Sequence, residues 1–538
     1  MKYLIVTISV CLIFCFPSEA QTIITKAQTV WNPDNGDGTY KNPVINADYS
    51  DPDVIRVGDD YYLVSSSFAH FPGLPILHST DLVNWTIIGH AAEKYPIDSF
   101  SRVQHGNGIW APSIRFHNGE YFIYFGDPDN GVFVTKANNP AGPWSPLHLI
   151  KKVRGWIDTC PFWDEDGNAY LVHAWANSRS GIKSILTLNK MSQDGMSVLD
   201  EGIMVFDGRK HHPTMEGPKM YKRNGFYYIF APAGGVKPGW QTVLRSKNIY
   251  GPYEDKVVLE QGSTKINGPH QGAWVETPNG ESWFLHFQDR NAYGRVVHLQ
   301  PMNWNEDWPV MGQDFDHNGI GEPVSVFRKP WTAHKTPVCS PQTNDEFDSS
   351  SLGLQWQWNS NFKDNWFSLS ARKGWLRLYP LAVAAGSKNL WRAPNLLLQK
   401  FPATEFRSEC RIDPVHLKEG EMAGLIVFGL DYSYAAIKKS HGKLQIIQSK
   451  CLNAEAGKPE MLAAAKPIAG KIVILRIDVS EDAKCSFSYS WNGKTFFALG
   501  EEFMARPGKW VGAKVGLFYN SASEAGFADV DWFRFTKR

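Results

Sequence analysis

One pattern recurs five times in the first part of this 538-residue chain and restricts what the chain can fold into. It is a polar, glycine-bearing turn followed at once by an aromatic strand. The instances are "GDDYYLVSSS" from Gly58, "NGEYFIYFG" from Asn118, "DGNAYLVHAW" from Asp166, "NGFYYIFAPA" from Asn224 and "NGESWFLHFQ" from Asn279. The turn glycines Gly58, Gly119, Gly167, Gly225 and Gly280 lie 61, 48, 58 and 55 residues apart. Each interval is the length of a four-stranded antiparallel sheet with its loops, the unit of a β-propeller. Closing phrases end at Trp85, Trp144 and Tyr253 and place rings between units. Long helical periodicity is nearly absent, so the expected class is all-β, with a five-bladed propeller over 32–327.

In a propeller the first strand of each blade lines the axis. Reading back from each turn gives Asp51, Trp110, Asp158, Glu216 and His270, each beside a proline or within two residues of one, except Asp158, whose Pro161 follows three residues on. They are read as equivalent positions around one mouth of the channel. Singly, each has an ordinary explanation. Asp51 before Pro52 and Asp158 before Thr159 are turn formers; Trp110 is a core aromatic and His270 a bonded core imidazole. Together, three carboxylates, an indole and an imidazole converging on one cavity make a chemical site. The pair His211-His212 lacks the spacing of a metal-binding helix, and Asp164 to Gly167 reads as a hairpin turn.

Such a constellation suits glycoside hydrolysis, which needs one carboxylic acid at the leaving oxygen and one carboxylate across the sugar ring. Glu216, between Met215 and Pro218, suits the acid. Asp51, near Asp48 and Ser50, suits the base, and Asp158 is a third charge that holds the acid protonated. The stretch "SFAHFPGLPI" offers Phe68 or Phe71 as apolar wall for the sugar, with core packing as the alternative.

The segments "NADYSDPDVIRVGDDYYLVSSSFAHFPGLPILHSTDLVNW", "GIWAPSIRFHNGEYFIYF", "WIDTCPFWDEDGNAYLV" and "TMEGPKMYKRNGFYYI" occur in the order expected of glycoside hydrolase family 43, which this region resembles. The resemblance implies inversion at the sugar, with Asp51 as general base, Asp158 as modulator and Glu216 as general acid. It implies a sugar contact for Arg295 in its Gly294-Arg295 context. It maps the central histidine onto His270, a candidate calcium ligand, directly or through water; the hydrolysis itself requires no cofactor. Two positions depart from the pattern: Cys160, where a small residue such as serine is expected, and "GPHQGAW" in place of "GHG".

Residues 328–343 are proline-rich and read as a linker. From 344 to 538 short alternating strands predict a two-sheet β-sandwich, with Asn492-Gly493 as a two-residue hairpin turn. This half resembles the concanavalin-like C-terminal domain of the family's β-xylosidase branch, in which a sandwich loop closes over the mouth. That implies exo action, releasing terminal β-D-xylose or α-L-arabinofuranose from plant hemicellulose.

Three other readings stand beside this one. A non-catalytic sugar-binding protein predicts loss of one acid, and all three are present. An exo-galactosidase of the same family shares the site. An invertase-type propeller expects Asn-Asp-Pro-Asn where Ser50-Asp51-Pro52-Asp53 stands.

Composition narrows the partners. A formal net charge of +1 leaves no basic field for nucleic acid. The 21 tryptophans fit both an all-β core and sugar stacking. Lys2, the apolar run Tyr3 to Phe16 and Ser18-Glu19-Ala20 read as a signal peptide over 1–20, too short for a membrane span, so the protein is expected to be exported to the periplasm or beyond. Cys11 and Cys15 leave with it. Cys160, Cys339, Cys410, Cys451 and Cys485 remain, an odd set without zinc or disulfide spacing. Composition does not set the oligomeric state.

Overall fold

The structure, a computed structural model, describes residues 29–382, 386–468, 472–521 and 526–538. The signal-peptide segment lies outside the described residues.

The five repeats form five four-stranded antiparallel sheets, with strands in simple sequence order. Blade one runs from Asp53–Val57 to Thr86–Ala92, blade two from Trp110–His117 to His148–Lys151, and blade three from Trp156–Trp163 to Ile203–Asp207. Blade four spans Lys219–Arg223 to Glu254–Leu259, and blade five His270–Glu276 to Trp308–Met311. Each turn glycine sits in the left-handed region, φ 64° to 86°, which a Cβ disfavours, so the hairpins fold where the sequence places them.

Between neighbouring blades lies a separate apolar wedge, five in all. Trp85 is buried in the wedge between blades five and one, and Tyr253 in that between three and four. Trp144 packs against the wedge between one and two. The ring is closed without a shared blade. Thr39–Lys41 pairs with Val326–Arg328, and Ile45 exchanges both backbone hydrogen bonds with Val297.

The second half is a sandwich of two eight-stranded sheets over one core that includes Trp356, Trp358, Leu397, Ile477, Leu517 and Phe533. Residues 328–343, read as a linker, run as a strap bonded along blade one. Thr336 Oγ1 donates to Asp81 at 2.7 Å, and the Gln342 amide both accepts from Ile87 N–H and donates to its carbonyl. The turn at Asn492-Gly493 is longer than two residues, because Tyr489 pairs with Phe497. The Asn492 carboxamide accepts from Lys494 and Thr495 N–H, which favours the wider loop.

The sandwich seats directly on the propeller. Phe71 and Trp358 exchange backbone hydrogen bonds, and His105 stacks on Trp391 at 3.8 Å. Near the mouth, Gly512 N–H donates to Asp48 at 2.9 Å and Ala513 N–H to the Ala292 carbonyl at 2.7 Å.

Candidate active site

The mouth of the propeller is shaped by a backbone device repeated in every blade. At the start of each first strand one residue takes a positive φ: Asp51 (53°), Ala111 (27°), Asp158 (59°), Gly217 (59°) and Gln271 (36°). Four of the five are not glycine, and such residues are held there against an intrinsic penalty of about 1–3 kcal/mol. This register corrects the equivalence inferred from sequence. Asp51 and Asp158 lie on the kink, whereas Trp110, Glu216 and His270 lie one residue before it. The kink breaks the alternation of the strand, so residues from two adjacent positions share one cavity.

Asp51 is buried and both of its oxygens are engaged. Ser66 Oγ donates to Oδ2 at 2.6 Å and Arg295 Nη1 to Oδ1 at 2.8 Å. Ser66 Oγ in turn accepts from Ala111 N–H at 2.7 Å, which ties blade one to the kink of blade two. Arg295 is fixed through its own N–H, which donates to Asp48, and its guanidinium lies over Phe287 at 4.8 Å.

Asp158 is fully enclosed. Its Oδ2 accepts from Gly217 N–H at 2.8 Å and from the Gln271 amide at 3.3 Å. Burial, and then the negative charges of Glu216 and Asp51, push its carboxyl well above the usual carboxylate range. Glu216 keeps 26% of its side chain exposed, enough to meet a ligand, and Oε1 lies 2.9 Å from His270 Nε2. Met215 turns away into the wedge between blades three and four. The apolar setting expected for Glu216 is thus replaced by a polar one: an imidazole on one side and, through Gly217, the enclosed Asp158 on the other.

Of the two proposed wall residues, Phe68 meets Trp110 edge-on at 6.2 Å. Phe71 does not reach the site; it is fully buried against Tyr95 and Phe100, because its backbone is held by Trp358 at the domain seam. Cys160 is buried, and its sulfur accepts from Arg115 Nη2 at 2.9 Å.

Sequence reasoning missed three residues here: Ser66, Gln271 and Trp510. Trp510 comes from the sandwich. It is 53% exposed, has a left-handed φ of 63°, and stands edge-on to Trp110 at 6.0 Å with Arg295 at the same distance from its ring. Its loop docks through two glycines. A Cβ on Gly512 would lie 2.7 Å from Gly294 N, and one on Gly294 would lie 2.5 Å from the Asp48 carboxyl carbon. A cavity of about 320 Å³ opens beside Arg295 at this seam, lined from both domains by Lys237, Asn291, Lys509 and Trp510 among others. The available signal was a tryptophan set in a turn-forming stretch, between Pro507-Gly508 and Gly512.

The position of His270 bears on calcium. That ion takes six to eight oxygen ligands. The Nε2 atom faces the Glu216 carboxylate, Nδ1 is buried without a protein partner, and among the described residues no three His, Cys, Asp or Glu side chains gather as a metal cluster. For an ion bonded directly at His270, the described side chains supply fewer oxygens than calcium takes.

Known proteins are similar to this chain in sequence and in fold. The description "Glycosyl hydrolases family 43" matches residues 40–309, and "Beta xylosidase C-terminal Concanavalin A-like domain" matches 344–536. A putative beta-xylosidase of Xylanibacter ruminicola is 42% identical over 90% of this chain and 86% of its own length. A non-reducing end alpha-L-arabinofuranosidase of Bacteroides ovatus is 28% identical over 92% of this chain and 94% of its own. The crystal structure of the GH43 BlXynB protein from Bacillus licheniformis superposes with a TM-score of 0.81 at 28% identity, covering 93% of this chain and all of that one. With both halves matched and a five-bladed propeller followed by a concanavalin-like sandwich, the chain belongs to glycosyl hydrolases family 43.

Proposed function

We propose that the protein is an exo-acting, inverting glycoside hydrolase that removes terminal β-D-xylose or α-L-arabinofuranose from hemicellulose oligosaccharides. The observation that carries this is the gathering of Asp51, Asp158 and Glu216 from three different blades at one mouth, with Arg295 and Ser66 on Asp51, Gly217 N–H on Asp158 and His270 on Glu216. Glu216, the exposed member, protonates the glycosidic oxygen. Asp51, held from two sides by Arg295 and Ser66, takes the proton of a water that attacks the anomeric carbon from the opposite face. Asp158 fixes the backbone beside the acid and couples to its charge. Trp110 and Phe68 line the terminal sugar, Arg295 contacts it, and His270 orients the acid.

Two features favour exo action. The sandwich loop carrying Trp510 closes one side of the mouth, and the Bacteroides ovatus relative is named for the non-reducing end. Names of relatives favour xylose and arabinofuranose over galactose. The N-terminal run favours export.

The test is a panel of nitrophenyl glycosides and xylo- and arabino-oligosaccharides, with proton NMR of the first-formed sugar. Single terminal sugars released with inverted configuration are expected, and Glu216→Gln should abolish release. Retention, or wild-type activity in Glu216→Gln, overturns the reading.

A further inference from the structure

Two residues beyond the kink, the alternation of the first strands lines the axis a second time. On blades one to four this deeper ring consists of Asp53, Ser113, Cys160 and Lys219. Lys219 is the unusual member. It is 2% exposed, three residues after Glu216, and the mechanism above makes no use of it. Its ammonium crosses the axis from blade four. It donates to the Pro112 carbonyl at 3.0 Å and to Ser113 Oγ at 2.6 Å on blade two, and lies 4.0 Å from Asp53 Oδ2 on blade one.

Asp53 is 0% exposed. Its Oδ2 accepts from Ile114 N–H at 2.8 Å and from Arg115 Nη1 at 2.6 Å, while Oδ1 is buried with no partner. Taking an ammonium out of water costs several kcal/mol unless it is paired and bonded, so a lysine here needs a reason.

The charges supply one. The mouth holds three carboxylates, Asp51, Asp158 and Glu216, against one guanidinium, Arg295; the nearby Asp48 is bonded by Ser50 and by Gly512 N–H and faces Lys400 and Lys514 of the sandwich. The ring beneath holds Lys219 and Arg115 against Asp53. With Lys219 charged, a single proton shared among the three mouth acids leaves the axis neutral. That is the state an inverting mechanism needs: one acid, one base. Without that ammonium, neutrality calls for a second proton, and a doubly protonated cluster has lost its base. The charge of Lys219 also opposes the upward push on Asp158.

We propose that Lys219 is the built-in counter-cation of the catalytic axis, and that its ammonium, rather than a calcium ion at His270, balances the acids, so that hydrolysis runs without divalent metal. This rests on the reading of Asp51, Asp158 and Glu216 as the reacting acids. Lys219 is then a positioning residue that acts through their charge. The donor set around His270 agrees, since it offers calcium too few oxygens, and the carboxylate with a spare oxygen, Asp53, is already countered by Arg115 and Lys219.

Two arms test it on the full-length protein. In the first, chelator-treated enzyme is titrated with calcium by calorimetry and melted with and without the ion. No binding heat, no change in Tm and kcat/KM within about twofold are expected. A tenfold or greater loss on chelation that calcium restores overturns the proposal. In the second, the pH profile of kcat/KM is measured for Lys219→Met and Lys219→Arg. Losing the cation makes every acid in the cluster harder to ionise. The acid limb of the methionine variant should therefore move up by about one pH unit or more, with the arginine variant nearer wild type. Reduced activity with unmoved limbs assigns Lys219 a merely structural role and overturns the proposal. If the methionine variant does not fold, the calcium arm still decides. Glu216→Gln separates the two claims: if it stays active, the assignment of the acids fails whatever calcium does.

Discussion

The backbone N–H of Gly217 donates to the Asp158 carboxylate at 2.8 Å, so the residue next to Glu216 is bonded directly to Asp158. One contact thus couples the position of Glu216 to the charge state of Asp158. It also explains the strained φ of 59° at Asp158, which brings that carboxylate under the neighbouring blade.

Replacing Asp158 by Asn removes the charge and keeps much of the shape. The Asp158 carboxyl is raised by burial and by Glu216, and the repulsion is mutual. With the neighbouring anion gone, the general acid ionises more easily, so the alkaline limb of the kcat/KM profile should move to lower pH. The rate at the optimum should fall about 100-fold or more. A pH-rate series on a nitrophenyl xyloside checks both, and an unmoved alkaline limb would exclude the modulator role.

Trp510→Ala should leave the fold intact, because the ring is 53% exposed. It should lower kcat/KM by about 10- to 100-fold, the value of roughly 1–3 kcal/mol of aromatic contact with a sugar. Steady-state kinetics on xylobiose, with a melting curve as control, are the measurement.

Gly512→Ala tests the seam. Its Cβ would lie 2.7 Å from Gly294 N and 2.9 Å from Gly294 Cα, backbone atoms that cannot swing aside. Overpacking of about 1–3 kcal/mol is expected. Because Gly294 precedes Arg295, activity should fall along with Tm. Calorimetry paired with kinetics would show it, and a variant with wild-type values of both would mean that the loop does not dock there.

Lys514 gives a pH-dependent stability effect with a definite sign. It is buried directly across from Lys400 in a sandwich sheet. Burial first, and then the charge of Lys400, pushes its ammonium down to about 7, while Asp48 partly offsets this. The unfolded chain keeps the ordinary value of 10.5. The penalty is therefore complete below pH 7 and is relieved as pH rises toward 10.5, at about 1.4 kcal/mol per unit. Lys514→Met should raise Tm most at pH 6 to 7, with the gain shrinking toward pH 10. A gain that is flat with pH would contradict this.

Much of this molecule was legible in its sequence because the repeat is local. A glycine turn and an aromatic strand can be counted without knowing their partners, and five counts give five blades. The candidate acids stand out for the same reason, since Asp51 lies seven residues before its turn glycine and Asp158 and Glu216 each lie nine before theirs. The shared register was misjudged by one residue in three blades, because the left-handed kinks at Ala111, Gly217 and Gln271 fall one residue after the side chain that matters. Phe68 and Phe71 looked interchangeable in one dimension, and only the pairing of Phe71 with Trp358 separates them.

Short-range turn chemistry and strand alternation are written residue by residue, so the all-β architecture and three candidate acids can be read along the chain. Packing sets what each acid touches: Arg295 and Ser66 at Asp51, Gly217 and Gln271 at Asp158, His270 at Glu216. The same holds for the lysine beneath them and the tryptophan that arrives from the other domain. These contacts join residues up to hundreds of positions apart. Their energies depend on distance and burial, which follow from how the blades and the sandwich pack.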